Sequence, residues 1–83
     1  MITTRDLLTR LRRRPFEGFR VHLTDGRYFD ILYPELNMVG TTWFSIGVPE
    51  PGKPDPFAEH FVDVDLSMIC KLESLTAPVA TGT

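Results

Sequence analysis

The sequence predicts one small, mainly β domain: an N-terminal helix leading into a strongly bent, mostly antiparallel five-stranded barrel. Three observations carry this. Apolar residues recur at spacings of three and four only near the N-terminus; beyond Phe19 they alternate with period two; and Asp25-Gly26, Tyr33-Pro34 and a proline-rich run cut the remainder into strand-length pieces. With 83 residues the chain has room for one domain, placed at residues 1–75, with a tail of small and polar residues at 76–83. A core that small is helped by association with another surface.

The helix is expected over about residues 4–13. Leu7, Leu8 and Leu11 form one narrow apolar stripe, Thr3 and Asp6 form a capping box, and Ile2 can staple onto Leu7. Pro15 ends the helix, because the residue before a proline is pushed out of the helical region. Arginines in the last turn complement the negative end of the helix dipole.

Phe19, Val21 and Leu23 alternate with Arg20, His22 and Thr24, which gives a strand with one buried face. A two-residue turn at Asp25-Gly26 would set Asp30 against Val21 on the apolar side. A three-residue loop, Thr24-Asp25-Gly26, with Gly26 left-handed, instead pairs Val21 with Phe29, Phe19 with Ile31 and Arg20 with Asp30. Only this second register keeps the apolar set together. The second strand ends at Tyr33-Pro34. A third is expected from about Met38 to Val48, with Phe44, Ile46 and Val48 on one face and Thr41, Trp43 and Ser45 on the other. Residues 49–58 hold four prolines and read as an extended loop. Two short strands follow, about His60–Val64 and Ile69–Glu73, joined by one helical turn.

Charge is distributed unevenly. Residues 1–20 carry six arginines against two carboxylates, a net of +4, while the rest carries three cations against nine carboxylates, a net of −6. A basic head on an acidic body suits nucleic-acid contact, head-to-body self-association, or a solvated helix. No apolar run reaches the ~18 residues of a membrane span. Cys70 is the single cysteine and cannot form an internal disulfide, which points to a cytoplasmic location. His22 and His60 lack neighbours at metal-ligand spacing, and neither a phosphate-cradling glycine loop nor a nucleophile motif is present, so no cofactor, metal, small-molecule substrate or catalysis is expected. Cys70 is expected to pack as a small hydrophobe. Trp43 either lies beneath the helix leucines or stands exposed as an interface anchor, and Phe61 is the second interface candidate.

Leu8-Thr9-Arg10-Leu11-Arg12-Arg13-Arg14, followed at some distance by Val21-His22-Leu23-Thr24-Asp25-Gly26, resembles the start of the bacterial Sm-like RNA chaperone family, Hfq. The likeness continues as apolar pattern to Val39. It implies an Sm-like or SH3-like barrel that assembles into a homo-oligomeric ring and meets single-stranded RNA. Arg12, Arg13 and Arg14 match the family's basic rim and are the nucleic-acid-binding candidates. The family's base-binding Lys-His pair is replaced here by Val62-Asp63-Val64-Asp65-Leu66, and its stacking aromatic has no clear counterpart, so phosphate contact is what the resemblance leaves. Arg14-Pro15-Phe16, Phe19-Arg20-Val21-His22-Leu23, Asp25-Gly26-Arg27 and Pro34-Glu35 also resemble a group of short uncharacterised bacterial proteins, which implies no activity. The two functions expected are therefore a self-assembling barrel with an RNA-contacting arginine rim, and a protein-interaction module of the same fold.

Overall fold

The structure is a computed structural model, and it describes residues 1–52 and 57–75. The tail assigned to residues 76–83 and the centre of the proline-rich loop lie outside the described residues. Helix α1 spans Thr4–Leu11, two residues shorter than expected, with Arg12 as its C-cap. The capping box is present: Asp6 N–H donates to Thr3 Oγ1 at 3.2 Å and Thr3 N–H to Asp6 Oδ2 at 2.8 Å. A cap of this kind is worth about 1 kcal/mol, which an eight-residue helix cannot live on alone. Burial of Leu7 and Leu11 in the core supplies the rest.

Six strands follow: β1 (Phe19–Leu23), β2 (Tyr28–Ile31), β3 (Asn37–Val39), β4 (Trp43–Pro49), β5 (Ala58–Asp65) and β6 (Ile69–Ser74). They form two antiparallel three-stranded sheets, in the orders β2-β1-β6 and β3-β4-β5. The first hairpin has the expected register, with Phe19 opposite Ile31, Arg20 opposite Asp30 and Val21 opposite Phe29. Gly26 takes φ +94°, the left-handed region that the three-residue loop demands and that a residue with a Cβ enters at a cost.

The five-stranded barrel does not form as expected; among the described residues the ladders leave it unclosed. As expected, the second strand stops before Pro34, which has no N–H for a ladder and opens a 3-10 turn, Pro34–Leu36. The departure lies in the segment between Val39 and Trp43. Gly40 N–H donates to Trp43 O at 2.8 Å, so Thr41-Thr42 is a two-residue connection and the expected strand Met38–Val48 is a hairpin of two strands. The carbonyls freed there are used elsewhere: Thr4 Oγ1 donates to Gly40 O at 3.1 Å, and Leu66 N–H to Thr42 O at 2.9 Å. The chain returns to the first sheet through a second 3-10 turn, Leu66–Met68, the helical turn expected between the last two strands.

The inner faces of both sheets and α1 share one core of Leu7, Leu11, Phe19, Val21, Leu23, Ile31, Phe44, Ile46, Val64, Leu66 and Ile69. Phe19 is fully buried and edge-on to Phe16, with ring centroids 6.3 Å apart. Phe19→Ala is expected to cost about 3–5 kcal/mol, most of the stability of a domain this size, whereas Leu32→Ala at a half-exposed position should stay within about 0.5 kcal/mol. Urea denaturation followed by circular dichroism measures both; a mild effect at Phe19 would mean that the core lies elsewhere.

Candidate interaction surfaces

Each sheet turns one face to solvent, and the two faces differ in how far their charges are already matched. On the first sheet Arg20 makes a two-point contact with Asp30, at 2.6 Å and 3.1 Å, and lies over the Tyr28 ring at 4.2 Å. His22 Nε2 donates to Glu73 Oε1 at 2.8 Å. These pairs follow from register, since Arg20 stands between Asp30 on β2 and Glu73 on β6. The Arg20 guanidinium holds the Asp30 carboxyl below its ordinary value, and the bond from His22 does the same for Glu73. Cys70 sits where the β1–β6 register shifts; its thiol is exposed and lies 3.5 Å from the His22 carbonyl oxygen, so it does not pack in the core as expected.

The expected arginine rim is only partly available. Arg13 pairs with Glu17 at 2.8 Å, and Arg14 Nη1 donates to the carbonyls of Leu11 and Arg13, closing the end of α1. Arg12 is exposed, and among the described residues it has no ion pair. The same holds for Arg5, seven residues earlier and so two turns away on the same helical face. Arg5, Leu8 and Arg12 thus share the solvent side of the helix.

The second sheet carries three cross-strand rows on its solvent face. Trp43 lies beside Gly40 and opposite Asp65; Ser45 stands between Met38 and Asp63; Gly47 stands between Leu36 and Phe61. Met38, Trp43 and Phe61 are 64%, 39% and 60% exposed, too much for core residues and enough to make one apolar band. The glycines are needed for close approach. A Cβ on Gly40 would fall 2.1 Å from the Trp43 indole, and one on Gly47 would fall 2.4 Å from Leu36 O. Trp43 therefore leans over the hairpin and stands outside the buried cluster that holds Leu7 and Leu11. Met38 and Leu36 went unanticipated as surface residues. With the hairpin in place, Met38 shares a face with Ser45; in a continuous strand it would have shared one with Phe44.

A depression of about 490 Å³ between the start of α1 and the turn after β5 is lined by Ile2, Thr4, Arg5, Thr42, Asp65 and Ser67, among others. Asp65 is committed to Ser67, accepting from its hydroxyl at 2.7 Å and its N–H at 2.9 Å, and these bonds lower its pKa. Among the described residues no three His, Cys, Asp or Glu side chains converge as metal ligands would, and no helix is long and apolar enough to cross a membrane. No family model matches the chain, and no curated protein or solved structure matches it either.

The paired carboxylates give the fold an acid dependence. Asp30 and Glu73 have folded pKa values below their unfolded ones, so their contribution is fully present above the unfolded values, near 4, and is lost as pH falls through the folded values. The thermal midpoint should therefore hold between pH 6 and 5 and fall below about pH 4. Asp30→Asn should lower the midpoint at pH 6 and flatten the fall. An acid profile identical to that of the unaltered protein would show that the Arg20 pair contributes nothing.

Proposed function

We propose that this chain is a non-catalytic protein-interaction module whose working surface is the solvent face of β3-β4-β5. The observation that carries this reading is the exposed band of Met38, Trp43 and Phe61, lowered at two points by glycine and flanked by Asp63 and Asp65. Aromatic and Met side chains at the centre of a patch with charge at its margin have the composition of a protein-docking surface. Carboxylates beside the aromatics disfavour a phosphate backbone. An exposed Cys70 thiol suits a reducing, cytoplasmic setting.

A second reading has an observation in its favour. Arg12 is exposed and without an ion pair among the described residues, so a self-assembling Sm-like ring touching single-stranded RNA through Arg12, Arg13 and Arg14 would have one free cation per subunit at the rim. The engagement of Arg13 with Glu17 and of Arg14 with backbone carbonyls weighs against it.

Trp43 is the single tryptophan and reports on the choice. In dilute protein its emission should be open to acrylamide quenching. Adding labelled single-stranded RNA at low salt should change neither that emission nor the anisotropy of the label. RNA binding that weakens with salt at a log–log slope of about −0.7 per phosphate contact, and disappears in Arg12→Ala, would replace the first reading by the second.

A further inference from the structure

Resting on the reading of β3-β4-β5 as a protein-docking surface, we propose that the free edge of β5 takes up an extended basic peptide as a further antiparallel strand of that sheet. Leu66 N–H donates to Thr42 O at 2.9 Å, and Trp43 stands opposite Asp65, so Thr42 and Leu66 form a hydrogen-bonded pair. Such pairs alternate along an antiparallel ladder, which makes Phe44–Val64 and Ile46–Val62 the next two. The N–H and C=O groups of Phe61 and Asp63, and the N–H of Asp65, therefore point away from β4. Among the described residues no strand lies beyond β5, and no hydrogen bond reaches these groups.

Of the four sheet edges β5 offers the longest run. β2 and β3 have four and three residues, and the β6 register shifts beside Cys70. β5 has eight, and its pairing with β4 is regular from His60 to Asp65. Its side chains leave the edge open. The Phe61 ring leans back over β4, where a Cβ on Gly47 would fall 3.2 Å from its Cε2. Val62 faces the core side and is only partly buried, whereas Val64 beside it is 5% exposed, so an added strand has apolar surface left to cover.

Charge selects the occupant. β5 carries Glu59, Asp63 and Asp65 and neither lysine nor arginine. Asp63 and Asp65 share the solvent side of the strand with Phe61. Asp63 has no ion pair among the described residues, while Asp65 is bonded to Ser67 and shares its depression with Arg5, so Asp63 is the more open of the two to a cation. Two β5 strands laid edge to edge would crowd carboxylates of the same sign along one ladder, which destabilises it. A strand with lysine or arginine at every second position brings the opposite sign to Asp63, and the apolar residues between them face Val62. Main-chain bonds then supply the affinity and the alternation supplies the choice of partner. One strand of about seven residues makes a contact well below the standard stable interface, in the weak and transient class.

Fluorescence anisotropy of a labelled peptide, Lys-Val-Lys-Val-Lys-Val-Lys, titrated with the full chain at low salt, tests it. The dissociation constant should be on the order of 100 µM, and the same peptide with glutamate for lysine should not bind. Methylating the backbone nitrogens of alternate residues should abolish binding for one of the two sets and leave it within about threefold for the other, because only every second N–H of an added strand faces β5. Asp63→Lys should weaken binding about three- to tenfold. Its thermal midpoint should match that of the unaltered protein, since Asp63 is exposed and without an ion pair among the described residues, so the loss cannot come from misfolding. Binding that tolerates both methylated sets and Asp63→Lys but disappears in Met38→Lys overturns the edge and keeps the docking face. An unaltered protein that binds no peptide up to about 1 mM overturns the basic strand as occupant, and sedimentation of that protein as a dimer would give the edge to a second copy. Neither result touches the docking face itself, which the Trp43 emission reads independently.

Discussion

Phe19, Val21 and Leu23 point inward from a strand that is hydrogen-bonded on both sides, and the remaining elements are arranged around that constraint. With β2 on one edge and β6 on the other, β1 cannot shift by a residue without turning three apolar side chains to solvent and bringing Arg20 and His22 into the core. Burial of this kind is worth about 25 cal/mol per Å², so the penalty for a slip falls on every inward position at once. The Gly26 loop fixes the register locally, and the facing sheet fixes it again through Phe44 and Ile46. Two independent determinants of one register leave a short chain with a single way to fold its first half.

That redundancy explains what could be read in the sequence. The helix cap, the Val21–Phe29 register and the 3-10 turn before β6 are each specified by residues close together in the chain, and each is visible as Thr-x-x-Asp, Asp-Gly or a connection too short for anything but one helical turn. The break in the expected third strand is specified differently. Thr41-Thr42 carries no turn signal, and no residue from Val39 to Trp43, Gly40 included, takes a positive φ. Its reversal is held by partners far away, Thr4 and Leu66, which donate hydrogen bonds to its carbonyls only once the helix and the last turn have docked. The same miss moved Met38 from the core to the surface, since a hairpin inserted into a strand exchanges the faces of everything before it. The candidate surface was legible at Trp43 and Phe61 and illegible at Met38 for that one reason. The arginine triplet was visible as a triplet, but the bonds that occupy Arg13 and Arg14 depend on how the chain leaves the helix.

The two sheets divide the electrostatic work. Around β1 the charges meet partners on neighbouring strands, and the face is closed by its own ion pairs, each modest because each is partly solvated. Around β4 the outward neighbours are Gly40, Met38 and Leu36 on one side and Asp65, Asp63 and Phe61 on the other. Asp63 has no ion pair among the described residues, and Asp65 lines the depression at the start of α1 together with Arg5. Cross-strand pairing has thus matched the charges of one surface and not those of the other.

Cys70 lies on the side of the molecule that is already complete. It is the chain's single thiol, it is exposed, and its strand belongs to the sheet whose outer face points away from the Trp43 band. A maleimide-linked fluorophore or spin label attached there would sit behind the core as seen from the β4 surface. The native sequence therefore provides an emitter on one side and an attachment point on the other, and distances between molecules can be measured without altering a single residue.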